Sequence, residues 1–187
     1  MKLLLKVFKF FFLTIFFPFW QVQVFIKRNP DVWLFGAWYG ENYSDNSRSL
    51  FEHISENDPN LKVFWVTKDK QTFSQLKNNN IPVLYYLSLK CIFYSLRASV
   101  VIVSSGKQDV NELFINGAKV INCWHGAPMK KIDQNKEKSN SIKNKIIKTL
   151  FPYLWEPSAT HVVSTAKVFD EILANAFNIS VERVLLT

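Results

Sequence analysis

The residues best suited to chemistry stand together in one stretch, Lys119 to Lys131, which reads KVINCWHGAPMKK. A short apolar run, Val120 to Trp124, predicts a buried strand. His125-Gly126-Ala127-Pro128 follows at once, and then Lys130 and Lys131. An imidazole titrates near neutrality, and cations beside it attract phosphate, so the pattern suits removal of a proton from a hydroxyl that attacks a phosphoryl group. The glycine allows close approach of a ligand and the proline stiffens the exit. A structural histidine at a strand end is the competing reading. The other two histidines carry less: His53 lies in the helical stretch LFEHISEN, and His161 opens the apolar run HVVST.

The two cysteines, Cys91 and Cys123, sit in apolar surroundings with no partner at metal-ligand spacing. They are expected to be free thiols in a reducing compartment. Neither a metal nor a cofactor is expected. There is no G-x-G-x-x-G and no G-x-x-x-x-G-K-[ST] loop, and the 187 residues include only 5 glycines, so a nucleotide phosphate must be held by another device.

The elements that must position His125 follow a regular rhythm. The strand-like runs are DVWLFGAW, LKVFWVT, PVLYY, VVIVSS, KVINCW, HVVST and RVLL. Between them lie the helical stretches SRSLFEHISEN, KDKQTFSQLKNNN, SLKCIFYSLRAS and AKVFDEILANAFNI. Short β-rich runs, some apolar on both faces and alternating with helices, predict an α/β fold around a mainly parallel sheet covered on both sides. Ligands of such sheets bind beyond the carboxyl ends of the strands, which is where His125 falls.

Charge and aromatic content narrow the partners. Lys+Arg total 23 against 15 Asp+Glu, a net charge of +8, and there are 17 Phe and 6 Trp. This balance fits an anionic membrane, phosphorylated small molecules or nucleic acid. Nucleic acid is disfavoured, because no recognition helix, zinc spacing or RNP-like strand is present.

Residues 1–30 contain no acid and eight Phe, with Lys2, Lys6 and Lys9 on one helical face. The uncharged run Phe10–Ile26 would span about 26 Å as a helix, short of the roughly 30 Å hydrocarbon core. No small-residue cleavage site marks a secretory signal. The expectation is a helix lying in the cytoplasmic membrane interface, with the Phe side chains and Trp20 inward and the lysines toward headgroups. A transmembrane anchor and a first helix packed on the domain are the alternatives. A second basic amphipathic stretch, about 136–156, sets Lys143, Lys145 and Lys148 beside an apolar stripe that ends near Trp155. It reads either as another membrane-surface element or as a solvated helix on the core.

VINCWHGAPMKKI resembles the W-H-G-[TA]-P-x-K segment of the CDP-glycerol glycerophosphotransferase family, whose members make teichoic acids and related phosphate-linked polymers. Further segments agree in order: LFGAWYGENYSDNSRSLFEHI with its G-x-x-x-x-D-N-[PS]-[KR] pattern, LKVFWVT, SLKCIFYSLRASVVIVSSG and SATHVVSTAKVFDEILANAFNI. The resemblance covers residues 31–187 and implies the Rossmann-like N-terminal lobe of a GT-B fold, with the active site between two lobes. It implies that His125 is the base for an acceptor hydroxyl that attacks the β-phosphorus of CDP-glycerol, with CMP leaving. Gly126 would leave room for substrate and Lys130 would offset developing negative charge. Asp45, Asn46 and Gly40 are weaker candidates for lining the same cleft, and turn chemistry is their alternative role.

In the family a G-x-P-R-x-D turn and a donor-binding lobe follow the point where this sequence ends, at RVLLT. The 187 residues alone are therefore expected to be inactive. The expected partners are CDP-glycerol, bound mainly by that second lobe, a lipid-linked acceptor and the membrane surface at the cytoplasmic face. Another CDP-polyol or sugar-phosphate donor, as in capsule synthesis, is the alternative within the class. A non-catalytic, membrane-associated acceptor-binding protein is the alternative outside it.

Overall fold

The computed structural model describes residues 14–124, 126 and 159–187. Lys2, Lys6, Lys9, His125, Lys130, Lys143, Lys145, Lys148, Trp155 and the basic stretch 136–156 lie outside the described residues. Seven strands form one sheet: β1 (Asn29–Phe35), β2 (Lys62–Thr67), β3 (Val83–Tyr85), β4 (Ala98–Val103), β5 (Lys119–Asn122), β6 (His161–Ser164) and β7 (Val184–Leu186). Their spatial order is β3-β2-β1-β4-β5-β6-β7, and every pairing is parallel. The chain winds outward from β1 in one direction, then returns to its other side with β4. The switch point of the sheet is therefore the β1–β4 boundary, where Leu34 faces Val101 and Phe35 faces Ile102. All seven strand-like runs of the sequence are present in this sheet.

The helices are α1 (residues 14–22), α2 (Asp45–Asn57), α3 (Lys70–Asn78), α4 (Leu89–Arg97) and α5 (Asp170–Phe177). Local chemistry starts and stops them. The Asp69 carboxylate accepts from the Thr72 N–H at 2.6 Å at the head of α3, and Ser88 Oγ accepts from the Cys91 N–H at 3.1 Å at the head of α4. Asn178, in the left-handed region, ends α5. Alternate side chains of the buried strands enter two cores. Leu34, Val101, Val103, Val120 and Val162 meet Cys91 of α4 and Leu173 and Phe177 of α5 on one face. Phe35, Trp65 and Ile102 meet Phe51 of α2 and Leu76 of α3 on the other.

On that second face an aromatic cluster seats α2. Phe51 packs edge-on against Phe35 at 5.3 Å and Trp65 at 5.8 Å, and Tyr43 meets Trp65 at 4.7 Å. Each such contact adds about 0.5–1.5 kcal/mol beyond its buried area. Burial, together with a hydrogen bond to Glu52, pushes the Tyr43 phenol up to about 12.

The N-terminal segment departs from expectation in part. Trp20 was expected to face a membrane; instead it is only 8% exposed, its ring stacks on Phe17 and its carbonyl accepts from Asn116 Nδ2 at 2.8 Å. Three residues on, the fully buried Gln23 donates to the Leu113 carbonyl and accepts from the Asn116 N–H. A carboxamide can be buried here because both of its ends are satisfied. The end of α1 thus belongs to the body of the domain, although Ile15, Phe19, Val22 and Phe25 stay exposed. Among the described residues no helix is long and apolar enough to cross a membrane.

His53 is exposed on α2, and His161 Nδ1 lies 3.1 Å from Thr160 Oγ1. Burial first, then Lys119 and Arg183, lowers the His161 pKa.

Arg28 ties this segment to the sheet. Its guanidinium donates to the carbonyls of Ser95 and Ala98 at the end of α4 and to the carbonyl of Asn116 before β5. Arg28→Ala leaves these acceptors unpaired and should lower stability by about 2–3 kcal/mol in urea unfolding. Arg28→Lys should recover less than half, because a single ammonium cannot reproduce the planar fork.

Candidate functional site

The loops at the carboxyl ends of β1, β4 and β5 converge beside the switch point, and a buried carboxylate organises them. Asp109 is fully buried. Its Oδ1 accepts from the Tyr39 N–H at 2.7 Å, in the loop after β1. Its Oδ2 accepts from the Ser104 and Ser105 N–H groups at 2.9 and 2.7 Å, in the loop after β4. The two loops approach so closely that a Cβ added at Gly36 would lie 2.4 Å from the Asp109 carbonyl oxygen. On the other side the Gly40 carbonyl accepts from Thr67 Oγ1 at 2.9 Å and from the Lys68 N–H at 2.7 Å, which fastens the loop to β2.

The loop is bent tightly between these attachments. Trp38, Tyr39 and Gly40 have φ of 47°, 59° and 81°. Gly40 is buried inside the turn with its carbonyl engaged. Non-glycine residues in the left-handed region are uncommon and persist only where the surroundings over-determine them. Of the six such residues among those described, Trp38, Tyr39, Asp45 and Trp124 all lie on these convergent loops.

Asp45 and Asn46 begin α2. Asp45, at φ 75°, turns its Oδ1 to accept the Asn46 N–H at 2.9 Å, which satisfies a first-turn donor that Ser44 leaves without a side-chain cap. Asn46 then reaches across to the end of β5, where its Nδ2 donates to the Trp124 carbonyl at 2.8 Å. Ser47 Oγ, behind it, lies 3.3 Å from Ser104 Oγ. The sequence candidates Asp45 and Asn46 are thus brought to the strand that carries the W-H-G segment.

Trp124, the first residue of that segment, is held from three sides. Its N–H donates to Asn122 Oδ1 at 2.8 Å, its carbonyl takes the Asn46 amide, and its ring packs edge-on against Phe177 at 5.3 Å. At φ 53° its backbone turns sharply out of β5. His125 and Lys130 lie outside the described residues. Gly126 is exposed, and a Cβ added there would meet nothing within 4 Å, so packing alone does not demand glycine at that position.

Cys123 and Cys91 are free thiols. Burial pushes both up to about 11, with nearby Asp45 adding to the effect at Cys123. Among the described residues no group of histidine, cysteine and carboxylate side chains could hold a metal ion.

Residues 18–187 match the family described as CDP-Glycerol:Poly(glycerophosphate) glycerophosphotransferase. The chain belongs to that family. A teichoic acid poly(glycerol phosphate) polymerase of Bacillus subtilis (strain 168) is 30% identical over 115 residues, 60% of this chain and 14% of the relative. A teichoic acid glycerol-phosphate transferase of Staphylococcus aureus (strain NCTC 8325 / PS 47) is 25% identical over 165 residues, 85% of this chain and 40% of the relative. The chain therefore spans less than half the length of either. Its fold is similar to the solved wall teichoic acid polymerase TagF, with a TM-score of 0.61 at 18% identity over 84% of this chain and 38% of that one.

The residues missed in the sequence are Asp109, Asn122 and the turn at Trp38-Tyr39. The string SSGKQD holds the one clue to Asp109, an acid a few residues beyond a strand end, where its carboxylate can collect backbone N–H groups.

Asp109→Ala strands four backbone donors, those of Tyr39, Ser104, Ser105 and Gly106, and should lower stability by about 3 kcal/mol or more, measured by urea unfolding. Near pH 8 a thiol raised to about 11 is roughly 100-fold poorer in thiolate than one at its ordinary value, so alkylation of the native protein should be slow at both cysteines. Asn46→Ala frees the Trp124 carbonyl and should speed iodoacetamide labelling at Cys123 by about threefold or more, leaving Cys91 unchanged.

Proposed function

We propose that this glycerophosphotransferase chain is the acceptor-side lobe of an enzyme that transfers glycerol phosphate from CDP-glycerol to a lipid-linked acceptor in teichoic acid synthesis. The observation that carries the reading is the held exit of β5. Asn122, Asn46 and Phe177 fix Trp124 at the carboxyl edge of the sheet, immediately before His125. A base must be positioned to within a few tenths of an ångström to be useful, and a held residue immediately before it supports that role for His125.

His125 takes the proton of the acceptor hydroxyl as its oxygen attacks the β-phosphorus of CDP-glycerol. The new P–O bond forms, the bond to CMP breaks, and CMP leaves with the electron pair. Lys130 offsets the charge that grows on the phosphoryl oxygens. Gly126, with open space beside it, leaves the histidine approachable. A second lobe, completing a GT-B arrangement, holds the nucleotide. The acceptor is anchored in a bilayer, and the exposed apolar side of α1 together with the basic stretch 136–156 keeps the cleft at the cytoplasmic membrane face.

The decisive assay supplies CDP-glycerol, a glycerol-phosphate-primed acceptor and the chain joined to, or mixed with, a donor-binding lobe, and follows CMP release. Turnover is expected, and His125→Ala should reduce it by about 10²–10⁴. Full activity in the variant removes His125 as the base. Acceptor binding without any CMP release from the completed protein leaves a binding protein instead.

A further inference from the structure

The outward face of α4 has no role in the chemistry above. Cys91 and Ser95 form its buried row, while Leu89 and Phe93, four residues apart on the opposite side, are 85% and 59% exposed, and Leu87 just before them is 68% exposed. A helix that buries one face needs no large apolar side chains on the other, so three together call for a partner.

The neighbouring surface has the same character. Phe16 and Phe19 of α1 pack edge-on against Phe114, and α4 touches the same Glu112–Phe114 turn from its own side. The exposed row of α1 and its exit is Ile15, Phe19, Val22 and Phe25, with Ile15 77% and Phe25 86% exposed. Neither residues 14–28 nor residues 87–97 contain an acid. Their cations border the apolar rows: Lys27 after Phe25, Lys90 between Leu89 and Phe93, and Arg97 in the last turn of α4. Lys90 and Lys27 are exposed. Long basic side chains can lay their stems along apolar surface while the charged ends reach outward.

We propose that α4 is a second bilayer-contacting element, seated beside α1 on an anionic membrane surface with Leu87, Leu89 and Phe93 dipping below the headgroups. Both segments lack acids and carry bordering cations, with Glu112 the one acid in the turn between them, which favours an anionic bilayer over another protein as the occupant. The inference rests on the membrane-surface part of the proposed function and is independent of the chemistry at His125.

The test is flotation of the full chain with phosphatidylglycerol or phosphatidylcholine vesicles. The variants are L87S/L89S/F93S, K90E and, as a separate probe of α1, F19S/F25S. Phe19 packs on Phe114, Phe93 on Tyr94, and the Lys90 ammonium lies over Phe64, so the Tm of each variant verifies folding. The α4 triple variant should partition onto phosphatidylglycerol vesicles about tenfold less than the parent or worse, K90E about threefold less, and the parent should prefer phosphatidylglycerol to phosphatidylcholine. A folded triple variant that floats like the parent overturns the α4 contact while leaving the membrane reading of α1 in place. A parent that floats with neither lipid overturns the membrane reading as well. A parent that is dimeric without vesicles, and a triple variant that is monomeric, would assign the face to a second copy and overturn the proposal.

Discussion

The Asp109 carboxylate is the constraint on which the carboxyl edge of this sheet depends. A doubly wound sheet opens a crevice wherever the winding reverses, because the loops after the two flanking strands depart in opposite directions. Nothing in the strand ladder itself holds those loops together. Here one buried side chain, carried on the loop after β4, gathers N–H groups from its own loop and from the loop after β1. The bend at Trp38-Tyr39 follows from it, and so does the path that delivers Tyr43 to the aromatic cluster and Asn46 to the end of β5. A left-handed φ costs of order 1–3 kcal/mol at a non-glycine residue, so the bend needs attachments of this strength on both sides. Gly40 supplies the other through Thr67 and Lys68.

Trp124, the first residue of the W-H-G segment, is therefore held from two directions. From below, the ladder continues one step past β5, as the Cys123 N–H donates to the Val103 carbonyl at 2.8 Å. From the side, α2 presents Asn46 only because Phe51 and Tyr43 lock the helix onto Trp65 and Phe35. The chain thus uses apolar packing to place a helix and a single amide to place a backbone carbonyl. The thiol of Cys123 lies inside this junction as a small apolar filler.

The sheet was legible in the sequence because its strands are buried on both faces, and such strands read as short continuous runs such as VVIVSS and KVINCW. The helices between them show their inward rows, and Asp69 and Ser88 mark two of the starts. Asp45 and Asn46 could be picked out beside a strand end, although nothing in the DNSR string says that the amide of Asn46 crosses to Trp124, 78 residues away in the chain. Arg28 was illegible, and so was the reach of Asp109 to the Tyr39 N–H, for the same reason: these partners are backbone atoms about 70 to 90 positions distant, and backbone atoms leave no trace in residue identities. Composition treats residues 1–30 as one apolar unit. The fold divides the described part of it, taking in Trp20 and Gln23 and leaving Phe25 outside, since it is hydrogen bonding with residues 113–116 that decides which side turns inward.

The burial of Trp20 also has a meaning in time. Its carbonyl is bound by Asn116, 96 positions later in the chain. A ribosome adding roughly 5–20 residues per second needs about 5–20 s to cross that gap. Through that interval the Phe-rich segment around Trp20 exists, but the turn that covers it has not yet been made. A shorter delay applies to β1, which ends at Phe35 and whose second neighbour β4 starts at Ala98. For those seconds the growing chain is a sticky, half-finished sheet beside an uncovered apolar segment, and whatever surface lies nearest to the ribosome has the first claim on it.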